Sequence, residues 1–321
     1  MGRKVYYSVQ DISKTWEVAE RTVRYYCEEG RVPGAILQGK TWLIPPDAEK
    51  PARQKRHVKF SKNDTILSVL KREKDARLKG GIYYSVQINL TYNSNHIEGS
   101  KLTEEQTRHI FETKTLGATE NPVKVDDIVE TVNHFRCVDL VIDGAKSKLT
   151  ESFIKQLHFI LKSGTTDSLQ SWFKVGGYKL LENEVGNTAT AKPEEVPQKI
   201  KALLKEYNSK EKITLEDILD FHVQFEKIHP FQDGNGRVGR LIMFKECLKH
   251  NIVPFIITDE VKLFYYRGIS EWHNIKGYLT DTCLSCQDEF KEVLKKFGIP
   301  FFLSDFPQKA QCDLVQKLQQ K

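Results

Sequence analysis

Along most of the chain, apolar residues return at every third or fourth position, which predicts helices. From about residue 64 to 300 this pattern dominates. In DDIVETVNHFRCVDLVI, Ile128, Val132, Phe135 and Leu140 fall at roughly helical spacing behind acidic residues suited to a helix N-terminus. TLEDILDFHVQFEKI predicts a helix capped by Thr214 and ending at Ile228. Another begins near Asn235, with Val238, Leu241, Ile242 and Leu248 as its buried face. One stretch breaks the period. FKVGGYKLLENEVGNTATAKP carries three glycines, β-tolerant residues and Pro193, and predicts a short hairpin between helices, Val175 to Gly186.

The first 48 residues follow a different plan. SVQDISKTWEVAERTVRYYCEEG predicts two short helices. Ser8 caps the first, with Val9, Ile12 and Trp16 on one face. A turn near Glu17-Val18 leads to the second, Ala19 to Cys27, with Val23 and Tyr26 or Cys27 inward and Gly30 as its stop. AILQGKTWLI then predicts a two-strand hairpin around Gln38-Gly39-Lys40. Helix–turn–helix plus hairpin is the plan of a small winged-helix DNA reader. Arg21, Thr22, Arg24 and Tyr25 lie on the outer face of the second helix and Lys40 at the wing tip, types that contact phosphates and base edges. The segment resembles excisionase-like and MerR-like modules; a solvated protein-docking face is the alternative.

Charge sharpens this division. The chain of 321 residues carries +6, and residues 1–62 hold all of that excess, with 13 Lys and Arg against 7 Asp and Glu. An acidic partner, DNA, is therefore expected for one module rather than for the whole protein. Between Glu49 and Asp64 there are six basic residues and no acid, which with the prolines predicts a linker over 49–63. A second domain is expected over 64–306 and a polar tail over 307–321. Six cysteines include only one C-x-x-C, Cys283 and Cys286, without the second pair or histidines of a zinc site. With no membrane-length apolar run and no secretory h-region, a cytoplasmic protein with reduced thiols is expected.

The densest chemistry is HPFQDGNGRVGR, His229 to Arg240. Its Gly-x-Gly-x-x-Gly follows a helix rather than a strand, so it is not a dinucleotide fingerprint. Gly234, Asn235 and Gly236 uncover backbone N–H groups at a helix N-terminus, a ready anion site. Arg237 and Arg240 sit at i,i+3 where two cations oppose the helix dipole, at a cost of ~0.3–1 kcal/mol each, unless an anion lies between them. A polyphosphate matches the guanidinium fork. Asp233 then makes sense as a ligand of Mg²⁺ shared with the phosphates, and His229 as a general base. The residues predict transfer of a phosphate-containing group to a deprotonated acceptor.

The same twelve residues match without a gap H-P-F-x-D-G-N-G-R-x-x-R, the motif of the Fic family. The resemblance extends over roughly residues 80–300. It implies a mainly α, all-helical fold with a β-hairpin flap, and transfer of AMP from ATP to a Ser, Thr or Tyr hydroxyl of a protein. Carried over, His229 takes the hydroxyl proton and Asp233 binds Mg²⁺. Gly234 to Gly236 hold the α-phosphate with Asn235 orienting it, and Arg237 and Arg240 grip the outer phosphates. Phe231 anchors the loop, and Gly236 favours nucleotidyl over phosphoryl transfer. The hairpin resembles the flap, which clamps a target by strand addition, with Asn183, Glu184, Val185 and Gly186 bordering the nucleotide. Tyr265 and Tyr266 resemble a base-pocket pair, with core packing the alternative. The asparagine that the family places seven residues on is His273 here, beside Asn274.

TYNSNHIEGSKLT carries Ser94-x-x-x-Glu98-Gly99, similar to the family's inhibitory motif. At i,i+4, Ser94 and Glu98 share a helix face, placed near 91–99, and a Glu98 carboxylate would compete with the terminal phosphate for Arg240. The expectation is an autoinhibited protein adenylyltransferase, with ATP, a target protein and DNA as partners. Open alternatives are a nucleotide-sensing regulator, transfer of another nucleotidyl group, removal of AMP, and self-association.

Overall fold

The computed structural model describes residues 6–28, 30–51, 64–117, 122–185, 188–299 and 301. Most of the expected linker, the tail, Gly186 and Cys312 lie outside the described residues. The chain divides into two units, residues 1–58 and 59–321.

In the first unit, α1 (Val9–Thr15) starts from Ser8, whose hydroxyl accepts the Asp11 N–H while Asp11 accepts the Ser8 N–H in return. Glu17, with φ 52°, makes the sharp turn into α2 (Glu20–Glu28). Strands β1 (Ile36–Gln38) and β2 (Thr41–Leu43) pair antiparallel through a turn where Gly39 has φ 63°. Val9, Ile12, Trp16, Val23, Tyr26, Cys27, Val32 and Ile44 make a small core. Arg21, Arg24, Tyr25 and Lys40 are exposed and Thr22 is half-buried, while Arg24 pairs with Glu20 at 2.8 Å.

The second unit is helical. Its order is α3 (Ile66–Asp75), α4 (Ile82–Ile97), α5 (Glu104–Thr113), α6 (Val125–Asp143), α7 (Glu151–Lys162), a small hairpin, α8 (Val196–Ser209), α9 (Leu215–Ile228), α10 (Asn235–His250), α11 (Lys262–Ser270) and α12 (Gly277–Lys296). Helix α10 is central and packs against α3, α4, α6, α7 and α9. The expected single buried face of α10 is therefore too narrow. Neighbours on all sides bury Arg237, Arg240, Lys245 and Glu246 along with the apolar residues. Helix α6 serves two clusters. Cys137, Val138, Val141 and Ile142 join the main core, and Phe135 joins a smaller cluster against which Ile128 and Val132 pack.

The hairpin also differs from expectation. Its strands are β3 (Glu184–Val185) and β4 (Thr188–Ala189), so it straddles the C-terminal limit of the Val175–Gly186 segment that sequence assigned to it. Residues from Lys174 to Asn183 form neither helix nor strand, and Lys179 and Asn183 bond to the chain at 228–231 instead of pairing in a sheet. No helix among the described residues is long and apolar enough to cross a membrane. The five described cysteines are free and buried, and no described group of three His, Cys, Asp or Glu could hold a metal.

Candidate active site

Helix α9 ends because His229 adopts the left-handed region, φ 49° and ψ 63°, before Pro230. Helix α10 begins from Gly234, φ 81°, a conformation that favours glycine. The loop between them is closed from inside. Asn235 accepts the Phe231 N–H at 2.8 Å through Oδ1 and donates from Nδ2 to the Phe231 carbonyl at 2.8 Å. Its amide is thus engaged with the loop, and its backbone is what it presents at the helix N-terminus. Phe231 is fully buried and stacks on His158, with centroids 3.9 Å apart. His158 accepts from the Gly176 N–H through Nδ1 and so donates from Nε2 to the Asp233 carbonyl.

His229 is mostly buried, with Nδ1 4.0 Å from a Glu226 oxygen. Burial, then the Lys179 charge, pushes its imidazole down to about 4. It is therefore neutral at pH 7 and able to accept a proton, though more weakly basic than a free histidine. Glu226, one turn back on α9, is pushed up to about 8 by burial.

The two arginines diverge. Arg237 reaches Glu130 and, at 3.2 Å, Asp233; Lys162 also reaches Glu130 and, at 2.6 Å, Asp233. Two cations and two carboxylates thus form a closed ring in which Lys162 and Arg237 are buried. Burial would raise the Asp233 pKa, but Arg237 and Lys162 outweigh it and hold the carboxyl well below its usual range. Arg240 instead donates from Nε to Ser94 Oγ at 3.0 Å, and from NH2 to the Ser94 carbonyl at 2.9 Å and Glu98 Oε1 at 2.6 Å. Both guanidinium groups keep one buried nitrogen without a hydrogen-bond partner among the described residues, Arg237 Nε and Arg240 NH1.

Glu98 caps the end of α4, which begins at Ile82, well before the expected 91–99, and Gly99 follows with φ 99°. The Glu98 carboxylate lies directly over Gly236, where a β-carbon would collide with Oε1 and stand 3.0 Å from Arg240 NH1. Gly239 has another role. A β-carbon there would lie 2.7 Å from the His222 ring and 2.8 Å from Glu226 Oε1, so this glycine permits α9 and α10 to cross.

The flap segment meets the loop at its base. Asn183 donates to the Phe231 carbonyl at 3.1 Å and Leu181 N–H to Gln232 at 3.2 Å. Glu184 is exposed and the Val185 side chain is not described. Tyr265 takes the core packing that the sequence left open as the alternative. It is 1% exposed and hydrogen-bonds His222 at 2.5 Å, because α11 turns that face into the core. Tyr266, 40% exposed, is the accessible ring of the pair. Sequence reasoning missed Glu130, His158, Lys162, Lys179 and Glu226. Nothing local marks them, since each reaches the loop from another helix, another segment or an earlier turn.

Residues 148–247 match the model of the Fic/DOC family. Over those residues the chain is similar to that family. It is 26% identical over 184 residues, 56% of this chain, to a protein adenylyltransferase Fic of Nematostella vectensis, of which it covers 42%. It is 24% identical over 66% of its length to the one of Aedes aegypti, of which it covers 40%. The chain thus spans about two fifths of those relatives. Its fold is similar to a Fic domain containing signaling protein from Bacteroides thetaiotaomicron, with a TM-score of 0.59 at 24% identity over 75% of this chain and 94% of that one. It is also similar to Fic-1 of Caenorhabditis elegans, with a TM-score of 0.56 at 16% identity over 72% of each.

Proposed function

We propose that this chain is a self-inhibited protein adenylyltransferase, transferring AMP from ATP to a Ser, Thr or Tyr hydroxyl. The observation that carries the reading is the arrangement at the start of α10. A neutral His229, an ionised Asp233 and the α10 N-terminus at Gly234–Gly236 stand together with Arg237 and Arg240, each of which keeps a buried guanidinium nitrogen without a partner among the described residues. Such a mouth suits a triphosphate. His229 accepts the proton of the incoming hydroxyl as its oxygen attacks the α-phosphorus and pyrophosphate leaves. The backbone N–H groups at 234–236 hold the charge that develops on the α-phosphate.

Asp233 is ionised and its side chain is 46% exposed, so it fits one carboxylate ligand of a Mg²⁺ ion. The rest of such an ion's shell would come from phosphate oxygens and water. Bound there, the ion would neutralise phosphate charge.

Glu98 supports the self-inhibited form. Burial raises its pKa, but Arg240 and then Arg237 outweigh this, so it is an anion already seated on Arg240 over Gly236. A terminal phosphate would have to displace it. The test is incubation with ATP labelled on the α-phosphate. Glu98→Gly is expected to label itself or a lysate protein strongly, and Glu98→Gly/His229→Ala not at all. Binding without labelling would make the domain a nucleotide sensor, and loss of label from a pre-modified target would make it a de-AMPylating enzyme.

For the first unit we propose duplex DNA as the partner, supported by the charge excess of residues 1–62 and by exposed Arg21, Arg24, Tyr25 and Lys40. Retention on DNA should fall steeply with salt. Retention indifferent to salt would indicate a protein partner.

A further inference from the structure

Lys179 is 2% exposed, and no ion pair joins its ammonium to a described carboxylate; the charges of Glu182 and Lys199 act on it with opposite sign. Its three N–H donors are directed at neutral oxygens: Asn183 Oδ1 and Thr190 Oγ1 at 2.6 Å each, and the Ile228 carbonyl at 3.5 Å. Its backbone N–H donates to the Pro230 carbonyl at 2.9 Å. One acceptor, Ile228, immediately precedes His229, and the other two belong to the segment that carries β3 and β4. Thr190 in turn donates to the Asn183 carbonyl at 2.8 Å, and Asn183 reaches Phe231. Lys179 thus joins the base of the hairpin to both sides of the His229 turn, through its ammonium to Ile228 and through its backbone N–H to Pro230.

We infer that Lys179 is a positioning residue for His229, fixing the turn that carries the imidazole relative to the hairpin. The inference rests on the adenylyltransferase reading for its kinetic consequence but not for its structural one. A segment docked on the hairpin would be registered against His229 through this strap. Because neutral dipoles satisfy the ammonium, its charge acts on the imidazole alongside those of Glu226, Glu98 and Asp233, the other ionisable groups around the ring.

The experiment follows the His229 ring by NMR between pH 4 and 8 in the full chain, in the wild type, Lys179→Met and Lys179→Arg. Lys179→Met should move the His229 titration up by about half a unit or more, as removal of a nearby like charge requires. Lys179→Arg should restore it. In the Glu98→Gly background, Lys179→Met should lower kcat for AMP transfer by about 10- to 100-fold, the scale of a displaced reacting group, with the KM for ATP unchanged. Should Lys179→Met fail to fold, Thr190→Val, which keeps the charge and removes one acceptor, should show the same fall in kcat without a change in KM. An unmoved titration in folded Lys179→Met, or a change confined to KM in either variant, overturns the inference. A chain that transfers no AMP but shows the shifted titration refutes the adenylyltransferase reading and leaves the placement of Lys179 standing.

Discussion

Glu98 Oε1 lies 2.6 Å from Arg240 NH2, and the same carboxylate fills the space above Gly236 that a β-carbon would need. One side chain therefore holds both the cation and the helix mouth expected to receive phosphate. Charge and shape make separate contributions here, and substitution can divide them.

Gly236→Ala in the Glu98→Gly background tests shape alone. With Glu98 gone, the added methyl group still stands near Arg240 NH1 at the N-terminus of α10. ATP affinity by calorimetry is expected to fall about tenfold or more, roughly the 1–3 kcal/mol of an overpacked site. An unchanged affinity would show that phosphate does not approach this turn.

Gly239→Ala tests packing without touching the proposed anion site. Its methyl group would press on the His222 ring and Glu226, and both flank a buried helix crossing. A loss of about 1–3 kcal/mol in denaturant unfolding is expected. Arg240 and Glu98 should remain paired.

Asn235→Ala removes the clamp inside the loop. The buried Phe231 N–H loses its acceptor, a cost of about 1–3 kcal/mol. Asn235→Asp keeps that acceptor and is expected to lose less stability. Equal losses, measured by urea unfolding, would mean that the clamp to the Phe231 carbonyl dominates.

The ring of Lys162, Arg237, Glu130 and Asp233 should show strong coupling. Lys162→Met leaves two carboxylates around one buried guanidinium, and breaking such a set costs about 3–5 kcal/mol. Lys162→Met/Glu130→Gln, which removes one charge of each sign, is expected to be more stable than Lys162→Met alone. Simple additivity in the double-mutant cycle would contradict the ring.

Stability should fall in mild acid. His134, His158 and His222 are each pushed down to about 3 by burial, against about 6.5 when unfolded. Their folded values are depressed, so the unfolded chain binds more protons, and stability is lost as pH drops below about 6.5 towards 3. Glu226 acts in the opposite sense. Raised to about 8, its contribution is complete below its unfolded value and is lost as pH rises through 8. Urea midpoints should therefore decrease from pH 7 to pH 5, and Glu226→Gln should raise the midpoint at pH 9 relative to the wild type.

The residues themselves determined the helix stop at Ile228, the glycine start of α10, the two-helix and hairpin plan of the first unit, and the grouping from His229 to Arg240. Each follows from local rules: proline and left-handed backbone end a helix, a side-chain oxygen caps one, and apolar spacing sets its buried face. The hairpin was displaced by several residues because the Lys179 backbone N–H bonds to Pro230 and the Asn183 side chain to Phe231, a competition that no local pattern shows. Only the tertiary structure decided the partner of Arg237, whereas the pairing of Arg240 with Glu98 was already implied by the motif resemblance. One turn apart on the same helix, the two arginines turn to Glu130 and to Glu98, the second contact joining residues 142 apart in sequence. Burial of α10 on all sides requires each charge along it to find a partner, and packing of the surrounding helices selects which one is near.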